Sequence, residues 1–293
     1  MRPADIAWAP EALGRCEAPD GIRVRWLGAA GFAIEHAGHC VLIDPYVTRA
    51  SLARCVAGRA RPDLAAIARH FPRADALILG HTHFDHALDA PDIALLTGAR
   101  VFGSRSAAAL CRAAGVPDGN VDVVERSPGA PHEVREVGPF VLRFVPSAHS
   151  RLVLGRVPFP GDIADCEDVP MRIDRYRCGA VFGVEIRVAG RTLYHAGSAE
   201  IVESNVQADA RNVDLLLMCV AGWSSGRDVP ERVAHRLAPG AVLLSHWDNF
   251  LLPLDEPLRL LPAIDFPRFA ERLMRAAAGV RVGVLPAMGH VWL

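Results

Sequence analysis

Four side chains that can bind a metal ion lie within six residues, in the segment His81-Thr82-His83-Phe84-Asp85-His86. In an extended segment, residues two apart point to the same side, so His81 and His83 can face one ion. A turn of the backbone then directs Asp85 and His86 towards a second, adjacent ion. In a solvated loop with no metal, three histidines and a carboxylate would occur within six residues only by chance. Such a cluster is also costly to bury without partners. The spacing therefore predicts a metal centre.

The segment is positioned by a short apolar run at residues 74–80, which is typical of a fully buried strand. Upstream, residues 22–28 alternate with period two and residues 33–45 predict two further short strands, so an antiparallel meander opens the chain. Strand and helix pieces are expected over 91–116. Further strands are predicted at 120–125, 134–145, 181–197, 215–220, 241–247 and 280–286, and helices at 62–70, 230–237 and 266–278. Strands separated by helices, without a linker or a repeat, predict one domain over residues 1–293, a four-layer αββα sandwich of the α/β class.

Residues 151–178 interrupt this order with three prolines, two glycines and no sustained period. A long irregular segment inside a compact domain is typically an ordered loop over a functional site, so we predict a lid here. Its apolar residues and its five arginines would suit a substrate with an apolar body and an anionic tag. A lid that packs on the domain with solvated arginines is equally compatible with the composition.

The H-x-H-x-D-H pattern of His81–His86 resembles the motif of the metallo-β-lactamase superfamily. The likeness extends over nearly the whole chain and includes Gly31, Asp44-Pro45, His149 at the end of a strand, YHAGSAE at 194–200, and His246 in SHWDNF. Within the superfamily, the sequence is most similar to the L-ascorbate-6-phosphate lactonase-like branch, in which residues 212–222 occupy the place of a D-x-x-L-L-P-x-G-G segment. The resemblance implies the metallo-β-lactamase fold.

The resemblance also implies which residues bind metal. A first ion would be held by His81, His83 and His149, and a second by Asp85, His86 and His246. Zinc is the expected cofactor, because it takes imidazole and carboxylate ligands, and manganese or iron are alternatives. Asp85 would in addition act catalytically, by orienting the attacking water or passing its proton to the leaving group.

Ser198 is where the sequence departs from the family. Most members have a bridging aspartate at this position, and a neutral hydroxyl is a poor bridging ligand. We therefore expect the second ion to bind more weakly, and one or two ions to be held. A subclass of true β-lactamases resembles this arrangement. Ser198 and the nearby His195 are interpreted as side chains that support the ligands.

The composition narrows the function. Thirty-two basic residues, all arginine, balance 33 acidic ones, and the net charge of -1 gives no overall field for nucleic acid or an anionic membrane. No apolar run approaches the roughly 18 residues of a membrane span. The seven cysteines are irregularly spaced and form no C-x-x-C, so we predict reduced thiols. The first residues do not resemble a signal peptide, so we predict a cytoplasmic location. Self-association into a homo-oligomer is left open.

The predicted reaction follows from the metal centre. A metal-bound water, whose pKa falls toward about 7, supplies hydroxide as a nucleophile, and the chain has no G-x-S-x-G or Cys/His signature that would compete. The resemblance favours hydrolysis of a lactone, ester or amide bond in a small molecule. A phosphodiesterase or nuclease, an iron-dependent oxidoreductase and a non-catalytic metal-binding protein are the alternatives.

Overall fold

Two seven-stranded sheets form the centre of the fold. The computed structural model describes residues 1–14, 20–58, 60–152, 155–164, 168–206 and 212–293. The strands are β1 (Arg23–Gly28), β2 (Gly31–His36), β3 (His39–Ile43), β4 (Ala76–Ile78), β5 (Arg100–Gly103), β6 (Val121–Val123), β7 (Glu133–Val137), β8 (Phe140–Ser147), β9 (Val181–Val188), β10 (Arg191–His195), β11 (Leu215–Cys219), β12 (Ala241–Ser245), β13 (Arg281–Gly283) and β14 (His290–Trp292).

The strand order is β14-β1-β2-β3-β4-β5-β6 in the first sheet and β13-β12-β11-β10-β9-β8-β7 in the second. In both, an antiparallel meander continues into parallel strands: β3 to β6 are parallel in the first sheet, and β10 to β13 in the second. Parallel neighbours require crossover connections, which helices usually provide. The helices are α1 (Leu52–Ala57), α2 (Leu64–His70), α3 (Phe84–Ala87), α4 (Ala90–Thr97), α5 (Arg105–Ala113), α6 (Val229–Leu237) and α7 (Phe266–Ala276).

Local sequence explains several element boundaries. The β2–β3 hairpin turns at Ala37 and Gly38, both of which have positive φ. Asp63 begins α2 by accepting a hydrogen bond from the Ala66 amide at 3.0 Å. Ser104 caps α5 in the same way, and Asp265 caps α7. Each cap satisfies a backbone N–H that has no partner within its own helix.

Both faces of the first sheet are buried, which identifies the layers. Val41 and Ile43 of β3 enter the core between the two sheets, whereas Leu42 enters a second core beneath α2, α4 and α5. The same alternation separates Ile78 from Leu77 on β4. On the far side, α6 and α7 pack on each other and join the core of the second sheet. The predicted α/β sandwich fold is confirmed.

Three elements were not predicted: α1, α3 and β14. They are only six, four and three residues long, too short to show a clear period. The five described cysteines are free thiols. None of the helices in the described part of the chain is both long enough and apolar enough to cross a membrane.

Candidate metal centre

The six candidate ligands meet at one edge of the sandwich, because each follows the carboxyl end of a strand. The motif follows β4, His149 follows β8 and His246 follows β12. Two glycines let the loops of the two sheets approach: a Cβ on Gly80 would lie 3.3 Å from the Gly197 Cα, and a Cβ on Gly197 would lie 3.5 Å from the Gly80 Cα. A side chain at Gly197 would in addition collide with the Phe182 carbonyl oxygen of its own sheet, 2.1 Å from the added Cβ.

The first group of candidate ligands consists of His81, His83 and His149. The Nε2 atom of His81 lies 3.1 Å from Nδ1 of His83. His83 Nε2 donates to the Pro158 carbonyl oxygen at 2.8 Å, and His149 Nδ1 donates to the Ser150 carbonyl oxygen at 2.6 Å. These bonds set the tautomers, so His83 presents its Nδ1 lone pair and His149 its Nε2 lone pair to the centre of the group.

Electrostatics keep the first group uncharged. Burial, with the neighbouring imidazoles, lowers the pKa of His81 well below its ordinary value. Burial and the charge of His83 lower the pKa of His149 to about 3. Burial also lowers the pKa of His83, although Asp85 opposes the shift. Since only a neutral imidazole binds a metal ion, the group is in its ligating form at neutral pH.

The second group consists of Asp85, His86 and His246. Asp85 Oδ2 lies 3.2 Å from Nε2 of His246 and 3.9 Å from Nε2 of His86. The backbone turns within the motif as predicted, and the turn is helical: His83 precedes α3, so Asp85 and His86 lie on it. Burial raises the pKa of Asp85, but the charges of His86 and His246 lower it more, and the carboxylate remains ionised.

Asp44 orients the second group and the motif together. It is fully buried, its Oδ2 lies 2.9 Å from Nδ1 of His86, and its Oδ1 accepts a hydrogen bond from the Gly80 amide at 2.7 Å. Burial lowers the pKa of His86, but Asp44 and Asp85 raise it above its ordinary value. The sequence had marked Asp44 only through the family resemblance, without a role.

Asp44 and His246 both have left-handed backbones, with φ of 45° and 55°. Such a conformation is unfavourable for residues other than glycine and persists only where surrounding contacts impose it. The His246 amide donates to the Ala29 carbonyl oxygen at 2.8 Å. Ala29 is held in turn through its own amide by Asp248, whose carboxylate lies 2.7 Å from the buried guanidinium of Arg49. Sequence reasoning missed this Arg49–Asp248 pair, because nothing local marks two residues so far apart as partners.

Ser198 and His195 lie beside the two groups rather than within them. The Ser198 hydroxyl accepts a hydrogen bond from the Ser150 amide at 3.1 Å and contacts the Ser150 hydroxyl at 3.0 Å. Ser150 is the residue whose carbonyl holds His149, so Ser198 supports the first group through Ser150. His195 Nε2 donates to the Ala30 carbonyl oxygen at 3.0 Å.

Both groups open into a single cavity of about 150 Å³. The large apolar side chains in its wall are Phe84, Leu152, Pro158, Phe159, Phe250 and Leu261. Three of these residues come from the predicted lid, 151–178, whose residues 153–154 and 165–167 lie outside the described residues. The described lid therefore contributes apolar wall to the cavity.

Comparisons with known proteins agree with this geometry. The model of the β-lactamase superfamily domain matches residues 39–247, which include all six candidate ligands. A UPF0173 metal-dependent hydrolase of Myxococcus xanthus is 30% identical over 78% of this chain and 71% of the relative. Another, from Anaeromyxobacter sp. (strain K), is 26% identical over 82% of this chain and 80% of the relative.

Among solved structures, a metallo hydrolase from the hyperthermophilic archaeon Ignicoccus hospitalis superposes with a TM-score of 0.61 and 19% identity, over 93% of this chain and 98% of that one. At this identity the likeness concerns the fold alone. The narrower likeness to the ascorbate-6-phosphate lactonase-like branch stays a prediction.

Proposed function

The chain belongs to the β-lactamase superfamily, and we propose that it is a metal-dependent hydrolase that cleaves a lactone, ester or amide bond in a small molecule. The observation that carries the proposal is the pairing of His81, His83 and His149 with Asp85, His86 and His246 at one cavity. The candidate ligand atoms within each group lie no more than 4.8 Å apart. Groups of three ligands leave an open position, as catalytic sites require.

The donor set fits a divalent metal. Two buried imidazoles and the half-buried imidazole of His149 present nitrogen atoms to a common point, and the second group adds one carboxylate oxygen to two imidazoles. Zinc accepts both kinds of ligand at about 2.0–2.2 Å in tetrahedral geometry, and manganese or iron accept them as well. We propose zinc as the resident ion. When bound, such an ion lowers the pKa of a coordinated water toward about 7 and polarises a carbonyl oxygen.

The side chains of the protein would position the reaction and move its proton. Asp44 fixes the ring of His86, and Pro158 and Ser150 fix the rings of His83 and His149. Asp85 directs Oδ2 at His246, so Oδ1 is the oxygen that we assign to take a proton from the attacking water and return it to the leaving group. The apolar wall would exclude bulk water from the reacting bond.

The residues that line the cavity also favour a small molecule over a nucleic acid as the substrate. Nucleic-acid binding depends on basic side chains that contact phosphates, and none of the described residues that line the cavity is an arginine. The described arginines of the predicted lid are mostly exposed, and Arg172 pairs with its neighbour Asp174 at 3.1 Å. These observations favour hydrolysis at a carboxylic carbon over phosphodiester cleavage.

The experiment combines metal analysis with a substrate panel. Metal-free protein would be loaded with zinc, manganese or iron, its metal content measured, and lactones, esters, amides and a phosphodiester tested. His149→Ala should lose at least one equivalent of metal and about 100-fold or more in activity, since one of three ligands is gone. His70→Ala, a histidine remote from the cavity, is the matched control. Metal-loaded protein that cleaves none of the carboxylic substrates would refute the proposal.

A further inference from the structure

The cavity wall offers a substrate no charged partner away from the metal ligands. Besides the six candidate ligands, the described lining contributes only one hydroxyl, of Ser198, and one thiol, of Cys219, to an otherwise apolar surface. The Ser198 hydroxyl is already engaged by Ser150. Burial raises the pKa of the Cys219 thiol, so it stays neutral. A charged group that a substrate places against this wall would therefore have no counter-charge from the described lining.

Aromatic rings fix the shape of this wall. Phe84 packs between Tyr46 and Phe250, with ring centroids 5.9 Å and 6.0 Å away. Phe250 in turn lies 5.2 Å from the ring of His246. On the other side, Phe159 of the predicted lid lies 6.5 Å from the ring of His83. One aromatic wall thus adjoins each group of candidate ligands, and such edge-to-face pairs favour a defined geometry.

The cavity volume limits how large a substrate portion fits inside it. At about 150 Å³ it is smaller than the roughly 300–1,000 Å³ of sites for drug-sized ligands. A dry apolar cavity of about this volume accommodates a benzene ring. The substrate portion held between Phe159 and Phe250 is therefore comparable to a single small ring or a short chain.

We infer that the substrate of this site carries a small, uncharged, apolar acyl portion, such as a short-chain or single-ring lactone, and that Phe159 and Phe250 set this specificity. The inference rests on the proposed hydrolytic function. It differs from the sequence-based interpretation of an apolar body with an anionic tag, because that tag would need arginines in the described lining, and there are none.

The test compares two γ-lactones with equal numbers of non-hydrogen atoms, γ-heptalactone and the anionic 5-oxotetrahydrofuran-2-carboxylate, with zinc-loaded protein. We expect kcat/KM to be at least about 100-fold higher for the neutral lactone, because an unpaired carboxylate is costly to bury. Phe159→Arg should reduce this ratio by about 10-fold or more. Phe159→Met, of similar length but uncharged, is the matched control and should preserve the ratio.

A size series separates the role of Phe250. γ-Dodecalactone should be a poor substrate of the wild-type protein, and Phe250→Ala should raise its kcat/KM relative to γ-heptalactone by about 10-fold. Equal kcat/KM for the neutral and anionic lactones, or a ratio that Phe159→Arg leaves unchanged, would overturn the inference while the hydrolase assignment stands.

If neither lactone is hydrolysed and the esters and amides are also inert, the proposed function fails instead. Saturation-transfer NMR with γ-heptalactone on the zinc-loaded protein then tests the pocket alone. Contacts to the neutral lactone that are lost in Phe159→Arg and kept in Phe159→Met would support the apolar pocket, and contacts of equal strength to both lactones would overturn it.

Discussion

Asp44→Asn isolates the charge that supports the second group of candidate ligands. Asparagine has the same shape, tolerates a left-handed backbone, and can still accept the hydrogen bond from the Gly80 amide. What it removes is the negative charge 2.9 Å from Nδ1 of His86. We expect the ion at Asp85, His86 and His246 to bind 10- to 100-fold more weakly, with little change at the first group.

The magnitude follows from the distance. Two full unit charges 2.9 Å apart would attract by about 6 kcal/mol at an effective dielectric constant of about 20. An imidazole bound to an ion carries only part of a unit charge, so about 1–3 kcal/mol remains. That range corresponds to the 10- to 100-fold losses in affinity that follow when a partner of a metal ligand is removed.

Isothermal titration calorimetry of metal-free protein with zinc measures this difference. Asp75→Asn is the matched control, because its carboxylate also accepts from a backbone amide, that of Cys40 at 2.7 Å, and lies 3.4 Å from a histidine, His39. Asp75 immediately precedes β4, at the opposite end of that strand from the motif, so its loss should leave both affinities unchanged. Identical zinc affinities for wild type and Asp44→Asn would show that the charge of Asp44 does not support the ligand.

Three further substitutions test two residues of the centre and one buried carboxyl group outside it. His83→Ala should abolish the first ion and hydrolysis, since two imidazoles remain, and full metal occupancy by elemental analysis would contradict this. Ser198→Asp should tighten the second zinc about 10-fold by adding a bridging carboxylate, and calorimetry that shows no change in zinc affinity would refute this. Burial raises the pKa of Asp89 to about 6, against hydrogen bonds from Thr48 and with a contribution from Asp92. The folded state therefore holds this proton more tightly than the unfolded chain does. As the pH rises from about 4 through about 6, the free energy of unfolding should fall by up to roughly 3 kcal/mol. Urea unfolding of metal-free Asp89→Asn should show a correspondingly smaller fall, and an identical pH dependence would refute the argument.

The sequence predicted the elements whose pattern is local. Alternation over 22–28 and the apolar run at 74–80 correspond to β1 and β4, and the helix predicted at 266–278 corresponds to α7. The structure also brings the six candidate ligands into the two groups that the resemblance implied. Their order along the chain was informative because each one follows a strand, and the carboxyl ends of parallel strands meet at one edge of a sheet.

Contacts between distant residues could not be read in the same way. Asp248 reaches the Ala29 amide and the Arg49 guanidinium, and Ala29 then holds the amide of His246. None of these residues has a neighbour in sequence that marks it, and a left-handed aspartate or histidine has no signature in a single sequence. The parts of the centre that impose its geometry are therefore those that depend on the completed fold.

The predicted lid shows why composition could not determine the substrate. Apolar and arginine side chains alternate irregularly along 151–178, so either kind could face the cavity. In the structure, the carbonyl oxygen of Pro158 is fixed by Nε2 of His83, which places Phe159 beside the first group. This contact with a candidate ligand, together with the Cys178 amide that donates to the Phe159 carbonyl oxygen at 2.9 Å, holds an aromatic ring of the described lid at the cavity. The same histidine that would bind the metal then also helps to select an apolar substrate.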